Sequence, residues 1–258
     1  KKMIGAIIGD VVGSVFEFNN RRSKEFPLFS AKSDFTDDSV LSFATAKVLL
    51  DGGDYAETYQ SFARAYPHRG YGGRFARWIK LDAPKPYNSL GNGSAMRVAP
   101  VGFAFKDAES VLMEAKRSVE VTHNHPEGIK GAQAVALAIW MARQGEEKSA
   151  IRRELEQRFD YDLSRNCDRI REVNRFDETC PGSVPEALTC FLESEDFEDC
   201  IRLSISIGGD SDTIACIAGG IAQAYYADIP SWIVAETRAR LPREFLKILD
   251  QFEECFSC

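Results

Sequence analysis

Apolar residues recur along most of this chain at intervals of three and four, the period of one face of an α-helix. After Asp38, the positions Val40, Leu41, Ala44 and Val48 keep that spacing until Gly52-Gly53 breaks the run. Residues 128–144 set Ala132, Val135, Ala136 and Ile139 on one face. Across residues 213–226, Ile214, Ile217, Ala218, Ile221 and Tyr225 make a broad apolar stripe, polar mainly at its N-terminal mouth. That is the pattern of a central, buried helix. Pro185 follows Gly182-Ser183-Val184 and is suited to be the first helical residue of the segment PEALTCFL. Strand-like alternation is scarce, and no repeat, low-complexity tract or Pro/Gly/Ser linker divides the chain. The charged stretch 146–175 reads as solvated helix surface and loop. The pattern predicts a single compact, all-α, multi-helix domain over residues 1–258.

Composition narrows the partners more than the fold. Hydrophobic residues make up 44% and charged residues 28%, enough for an ample core. The formal net charge is −7 and no basic run offsets it. A nucleic-acid backbone or an anionic membrane is therefore not expected as the main partner. No charged-then-apolar leader precedes Ile4, and no uncharged apolar stretch approaches roughly 18 residues, so neither a signal peptide nor a membrane span is expected. Seven cysteines, odd in number and dispersed, suit a reducing compartment better than a disulfide framework, and the expected address is the cytoplasm. Cys255 and Cys258 form a CxxC without the strand-to-helix context of a redox motif. The chain is expected to act as a monomer.

The candidate chemistry starts from two acidic clusters that read as mirror images. Thr36-Asp37-Asp38 and Asp210-Ser211-Asp212-Thr213 each open a long apolar helical run. Each offers two carboxylates and a threonine hydroxyl, the oxygen donors that hard divalent cations such as magnesium or manganese prefer. Taken singly, each cluster is better read as a helix cap with acids complementing the dipole. Capping, however, does not call for acidic clusters at the mouths of two such helices, and holding these charges together calls for cations. The two clusters together favour a metal centre.

Other segments are weaker alone. In Gly9-Asp10-Val11-Val12-Gly13-Ser14-Val15-Phe16-Glu17-Phe18 the glycines allow close backbone approach. Glu17 between two phenylalanines could sit in an apolar wall as a general acid or base, although a solvated Glu past a helix end is the commoner outcome. The glycine-rich stretch 88–97 and Tyr71-Gly72-Gly73-Arg74 could cradle a phosphate or diphosphate on backbone N–H groups, or be plain turns. Arg74 and Arg97 could add charge to an anion site, with surface arginines as the default. His123-Asn124-His125 has the wrong spacing for a zinc pair on one helix face, and a hydrogen-bonding or stacking role near the next helix is the alternative to ordinary turn residues.

In order, the motifs GDVVGSVFE, TDDS, NSLGNGSAMR, THNHPEGIKGA and SIGGDSDTIACIAGGI span most of the chain. This series resembles the ADP-ribosylglycohydrolase family, and TDDS followed by GGDSDT is its most specific part. The resemblance implies an all-helical fold enclosing a binuclear site of two Mg²⁺ or Mn²⁺ ions. Thr36, Asp37, Asp38, Asp210, Asp212 and Thr213 fall on the family's metal ligands, with Asp38 and Asp212 counted also as catalytic. Glu17 falls on the first-motif glutamate, to which a catalytic role is assigned in some members. Gly72, Gly73 and the turn Ser89, Leu90, Gly91, Asn92, Gly93 and Ser94 fall where the family holds diphosphate and riboses. His123 falls near the distal ribose or diphosphate.

The implied activity is hydrolysis of the glycosidic bond between the distal ribose of ADP-ribose and an acceptor, such as a protein Arg or Ser side chain or a small conjugate. Nucleic acid enters only as a modified acceptor. The rivals are a metal-dependent nucleotide pyrophosphatase and a non-catalytic ADP-ribose-binding or structural member of the family.

Overall fold

The computed structural model describes residues 3–256. Helices run through them as α1 (Ile4–Gly13), α2 (Asp37–Asp51), α3 (Tyr55–Ala65), α4 (Gly73–Trp78) and α5 (Gly93–Met96). There follow α6 (Ala99–Ala104), α7 (Ala108–Val119), α8 (Pro126–Arg143), α9 (Lys148–Phe159) and α10 (Cys167–Val173). The chain continues through α11 (Cys180–Glu193), α12 (Phe197–Ser206), α13 (Ser211–Tyr226), α14 (Ser231–Arg238) and α15 (Arg243–Cys255). Apart from one isolated antiparallel bridge between Gly91 and Thr179, the described residues contain no β-structure. The all-α class expected from the apolar period is what forms, in one packed domain with a continuous hydrophobic core. No described helix is long and apolar enough to cross a membrane.

Two helices form the axis. α1 is buried along its whole length and α13 from Ser211 to Gln223. They press together because Gly5, Gly9 and Gly13 recur at every fourth residue, on one face of α1. A Cβ on Gly9 would lie 2.0 Å from the Ala215 carbonyl oxygen, and one on Gly13 2.3 Å from Asp212 Cα. No side chain fits there. Gly219 answers from the other helix, since its Cβ would meet the Gly5 carbonyl at 2.3 Å. The Gly5 N–H, left over at the start of α1, donates to Gln223 Oε1 at 2.6 Å. The consequence is positional: the C-terminal end of α1 is delivered to the N-terminal mouth of α13.

Around this axis α2 packs on α1 and is covered by α3 and α15, where Phe245 stacks on Phe43 with ring centroids 4.3 Å apart. α8 lies between α7, α6 and α13. The start of α11 differs from the sequence reading. Pro185 does not open the helix but lies inside it, because Thr179 caps a start five residues earlier. The Thr179 hydroxyl accepts from the Gly182 N–H, and Pro181 occupies the first turn, where a missing N–H costs nothing. Residues 146–175 are helix surface and loop as expected, anchored by buried Ile151, Leu155, Phe159, Cys167 and Ile170. The described cysteines are free thiols; Cys255 is exposed, while Cys258 lies outside the described residues.

Candidate metal and substrate site

The mouths of α2 and α13 meet beside the end of α1, and a residue unassigned from the sequence does the joining. Asp10, wholly buried on α1, accepts from Thr36 N–H at 2.9 Å, Thr36 Oγ1 at 2.6 Å and Ser39 N–H at 3.1 Å, and from the Ser39 hydroxyl. It thereby fastens the first turn of α2 to α1. Thr36 also caps α2, its hydroxyl accepting from the Asp38 N–H at 3.3 Å. Capping and the gathering of carboxylates thus coexist in this cluster.

The second cluster is different. Asp210 stands at the N-cap position of α13, yet its side chain makes no capping bond. Its Oδ2 instead accepts from Asn92 Nδ2 at 2.7 Å, across 118 residues of sequence. The same amide donates to Ser183 Oγ at 2.9 Å. Gly208 and Gly209 precede α13 with φ of 67° and 86°, a left-handed pair that turns the chain sharply into the helix. Asn20 and Arg22, just beyond α1, staple that turn. Asn20 exchanges hydrogen bonds of 2.9 Å with the Gly209 N–H and carbonyl, and Arg22 Nη1 donates to the Ile207 carbonyl at 2.8 Å. Asn20 also donates to the Glu17 carbonyl at 3.0 Å, so the bend carrying Glu17 is tied to the mouth of α13.

These ties gather the acids into two groups that share Asp212. Oxygens of Asp10, Asp38 and Asp212 lie within 4.8 Å of one another, as do those of Glu17, Asp210 and Asp212. Asp37 lines the same cleft outside both triads, Thr213 lines it beside Asp212, and Thr36 faces Asp10. Burial, reinforced by neighbouring carboxylates, pushes Asp37, Asp38 and Asp212 well above the usual carboxylate range, and burial raises Asp10 and Asp210. Glu17 is pushed up to about 7 by partial burial and by Asp210, Asp10 and Glu178. The apolar wall expected around Glu17 is incomplete, since Phe18 is 83% exposed and faces Phe176 instead.

The residues fit a hard divalent cation. Every member of both triads is a carboxylate, and Asp38 Oδ1 is buried with no hydrogen-bond partner among the described residues. Cys216, the nearby soft donor, is no competitor: burial and the adjacent acids hold its thiol protonated, and it donates to the Met96 carbonyl. A cation here would offset the repulsion that raises these acids.

The same cleft also has glycine-rich and cationic lining. Gly72, Gly73, Ser89, Gly91, Asn92, Gly93, Arg74, Arg97 and His123 line it together with Glu17, Asp37, Asp38, Asp210 and Asp212. The glycine-rich turn is held by the Gly91–Thr179 bridge and by Asn92 N–H donating to the Glu178 carbonyl at 2.7 Å. Leu90 and Ser94 do not line the cleft. The Leu90 carbonyl accepts from Cys180 N–H, and the buried Ser94 hydroxyl donates to the Gly128 carbonyl at 2.7 Å, tying the turn to α8. Gly72 and Gly73 border open space, with nothing within 4 Å of where a Cβ would stand.

Arg97 corrects the sequence reading. It is no surface arginine but 0% exposed, with its guanidinium carbon 4.3 Å from the Tyr59 ring centroid and no ion pair among the described residues. Its Nε and Nη1 have no hydrogen-bond partner. Arg74 is exposed; it lies over the Tyr87 ring at 4.9 Å and donates to the Tyr87 carbonyl. His123 is held well below its ordinary value by burial and by Arg97 and Arg74, so it is neutral. α8 itself begins at Pro126 with His125 as N-cap, leaving His123 free to face the turn.

Residues 2–256 match the sequence profile of a family described as ADP-ribosylglycohydrolase. Human ADP-ribosylhydrolase ARH3 is 29% identical, over 87% of this chain and 84% of its own. The chain is also 25% identical to the ADP-ribosylarginine hydrolase Tri1 of Pseudomonas putida, over 90% of this chain and 72% of that protein. Among solved structures, one described as an ADP-ribosylglycohydrolase-related protein complex superposes with a TM-score of 0.68 at 24% identity, covering 99% of this chain and 93% of the other.

Proposed function

As the chain belongs to the ADP-ribosylglycohydrolase family, hydrolases of ADP-ribose glycosidic bonds, we propose that it releases free ADP-ribose from an acceptor joined to the distal ribose. The observation that carries this reading is the two-signed cleft. Buried carboxylates line it together with a buried guanidinium that has no ion pair and with the open glycines Gly72 and Gly73. A ligand with a polyol at one end and a diphosphate in its middle matches both. The acceptor is a protein Arg or Ser side chain or a small ADP-ribose conjugate, and two Mg²⁺ or Mn²⁺ ions are the proposed cofactors.

Asp10, Asp38, Asp210 and Asp212, with Thr36, Asp37 and Thr213 beside them, would hold the cations, which supply Lewis-acid polarisation and the positive charge this cluster lacks. Cleavage at the anomeric carbon develops positive charge on the sugar ring, which this dense set of carboxylates favours. Glu17, pushed up to about 7, is positioned to give a proton to the leaving group or to take one from water at neutral pH. The glycines lining the cleft, which leave room for a ligand beside the backbone at Gly72 and Gly73, and the Arg97 charge suit the diphosphate and let an acidic protein hold an anion.

The test is product analysis. Arginine-linked and serine-linked ADP-ribose substrates are incubated with the protein, with and without magnesium or manganese. Metal-dependent release of intact ADP-ribose is expected. Formation of AMP and ribose phosphate would replace this reading with a pyrophosphatase, and binding of ADP-ribose without turnover of any conjugate would make the protein a non-catalytic member.

A further inference from the structure

Arg97 and His123, both lining the cleft, belong to a buried chain of three side chains with a direction. Arg97 Nη2 donates to Thr122 Oγ1 at 2.6 Å, and Thr122 Oγ1 lies 2.7 Å from His123 Nδ1. Arg97 and Thr122 are 0% exposed and His123 is 5% exposed. A guanidinium can only donate, so Thr122 must accept from Arg97 and has one proton of its own to place. Its choices are the Val119 carbonyl at 3.4 Å and His123 Nδ1 at 2.7 Å. The shorter contact has the length of a strong hydrogen bond and the longer one does not. Nδ1 then accepts, and a neutral imidazole with an accepting Nδ1 carries its proton on Nε2. That nitrogen faces the glycine-rich turn: a Cβ on Gly93 would lie 3.1 Å from it and one on Gly91 3.4 Å.

Resting on the ADP-ribose reading above, we propose that Arg97 and Thr122 are positioning residues that fix His123 as the Nε2–H tautomer, aimed as a neutral donor at the substrate's diphosphate. Arg97 has a second part in this. Its Nε and Nη1 have no partner and no carboxylate neutralises it, so its charge is left for whatever anion enters the cleft. A histidine carrying Nδ1–H instead would present a lone pair to the phosphate oxygens and repel them.

Long-range ¹H–¹⁵N correlation spectra of the imidazoles read the tautomer directly in the ligand-free protein. Three histidines keep the spectrum simple, and His123→Gln assigns the signal. The wild type and Thr122→Ser should show His123 protonated on Nε2, and Thr122→Val, which keeps shape but loses the hydroxyl, should lose that fixed pattern. In calorimetric titrations with magnesium present, Thr122→Val should bind ADP-ribose and ADP about 10-fold more weakly, as for one lost hydrogen bond, with Thr122→Ser near wild type. Hydrolysis should show the loss in KM with kcat little changed. A wild-type His123 protonated on Nδ1 overturns the proposal. So does unchanged ADP-ribose affinity in Thr122→Val while the wild type binds. A wild type with the expected tautomer but no affinity for ADP-ribose sinks the substrate reading and the assigned target of the donor with it.

Discussion

Asp212 is the residue on which the site turns, because it belongs to both groups of acids while Asp10 and Asp38 serve only one and Glu17 and Asp210 the other. Replacing it with Asn keeps its volume and one acceptor but removes the shared charge. Asp212→Asn should lower turnover by several orders of magnitude, as expected of a lost catalytic metal, with folding confirmed by circular dichroism. Near-wild-type rates in that variant and in Asp38→Ala would sink the metal reading. Glu17→Gln should keep ADP-ribose affinity and slow hydrolysis by about 10²–10⁴-fold, the range of a lost acid or base; normal turnover would relieve Glu17 of that role. At this scale the sequence was legible where chemistry is written in neighbouring letters, as in TDDS and GGDSDT. It was not legible where a partner comes from far along the chain. Asp10 looks like one acid in an apolar run, and only its bonds to Thr36 and Ser39 reveal what it holds. Arg97 looks like any charged residue until Tyr59 and Thr122 enclose it.

At the scale of elements, the glycines divide into two sets that nothing in the sequence separates. Gly9 is filled by its neighbour helix, and Gly72 and Gly73 by nothing. Gly9→Val should therefore force α1 from α13, costing about 3 kcal/mol or more and lowering Tm by roughly 6–12 °C in a chain of this size. It should also weaken magnesium binding, because Asp10 and Asp212 lie on the two helices being parted. Gly72→Ala should do the reverse: stability within about 0.5 kcal/mol of wild type, with ADP-ribose affinity reduced if the open space there is reserved for ligand. An affinity unchanged in Gly72→Ala removes that glycine from the binding surface. The helix at 180–193 shows why local signals mislead. Pro185 and the earlier Thr179-Cys180-Pro181 are both permissible starts, and the cap hydroxyl of Thr179 decides between them once Gly182 comes within reach.

Across the whole molecule, the cost of the site should appear in its stability. Each buried acid raised by folding keeps a proton that the unfolded chain has already released, so the folded state binds more protons over that interval. Stability of the metal-free protein should then fall as pH rises above the unfolded carboxylate range toward the raised folded values. The interval that the shifts mark runs from the unfolded carboxylate range up to about 7, where folded Glu17 titrates. Magnesium should invert the balance. Cations bound by ionised Asp10, Asp38 and Asp212 replace protons, so added metal should raise Tm, and more at the upper end of that interval than at the lower. At about 100 times Kd the gain is about 2.7 kcal/mol, or roughly 5–11 °C. Scanning calorimetry at both ends of that interval, with chelator and with magnesium, measures all four corners of this coupling. A Tm that rises with pH in chelator and ignores magnesium would mean that the crowded acids are satisfied within the protein itself. The unpartnered Oδ1 of Asp38 argues against that outcome, because a buried carboxylate oxygen with no donor is stabilised only by what binds to it.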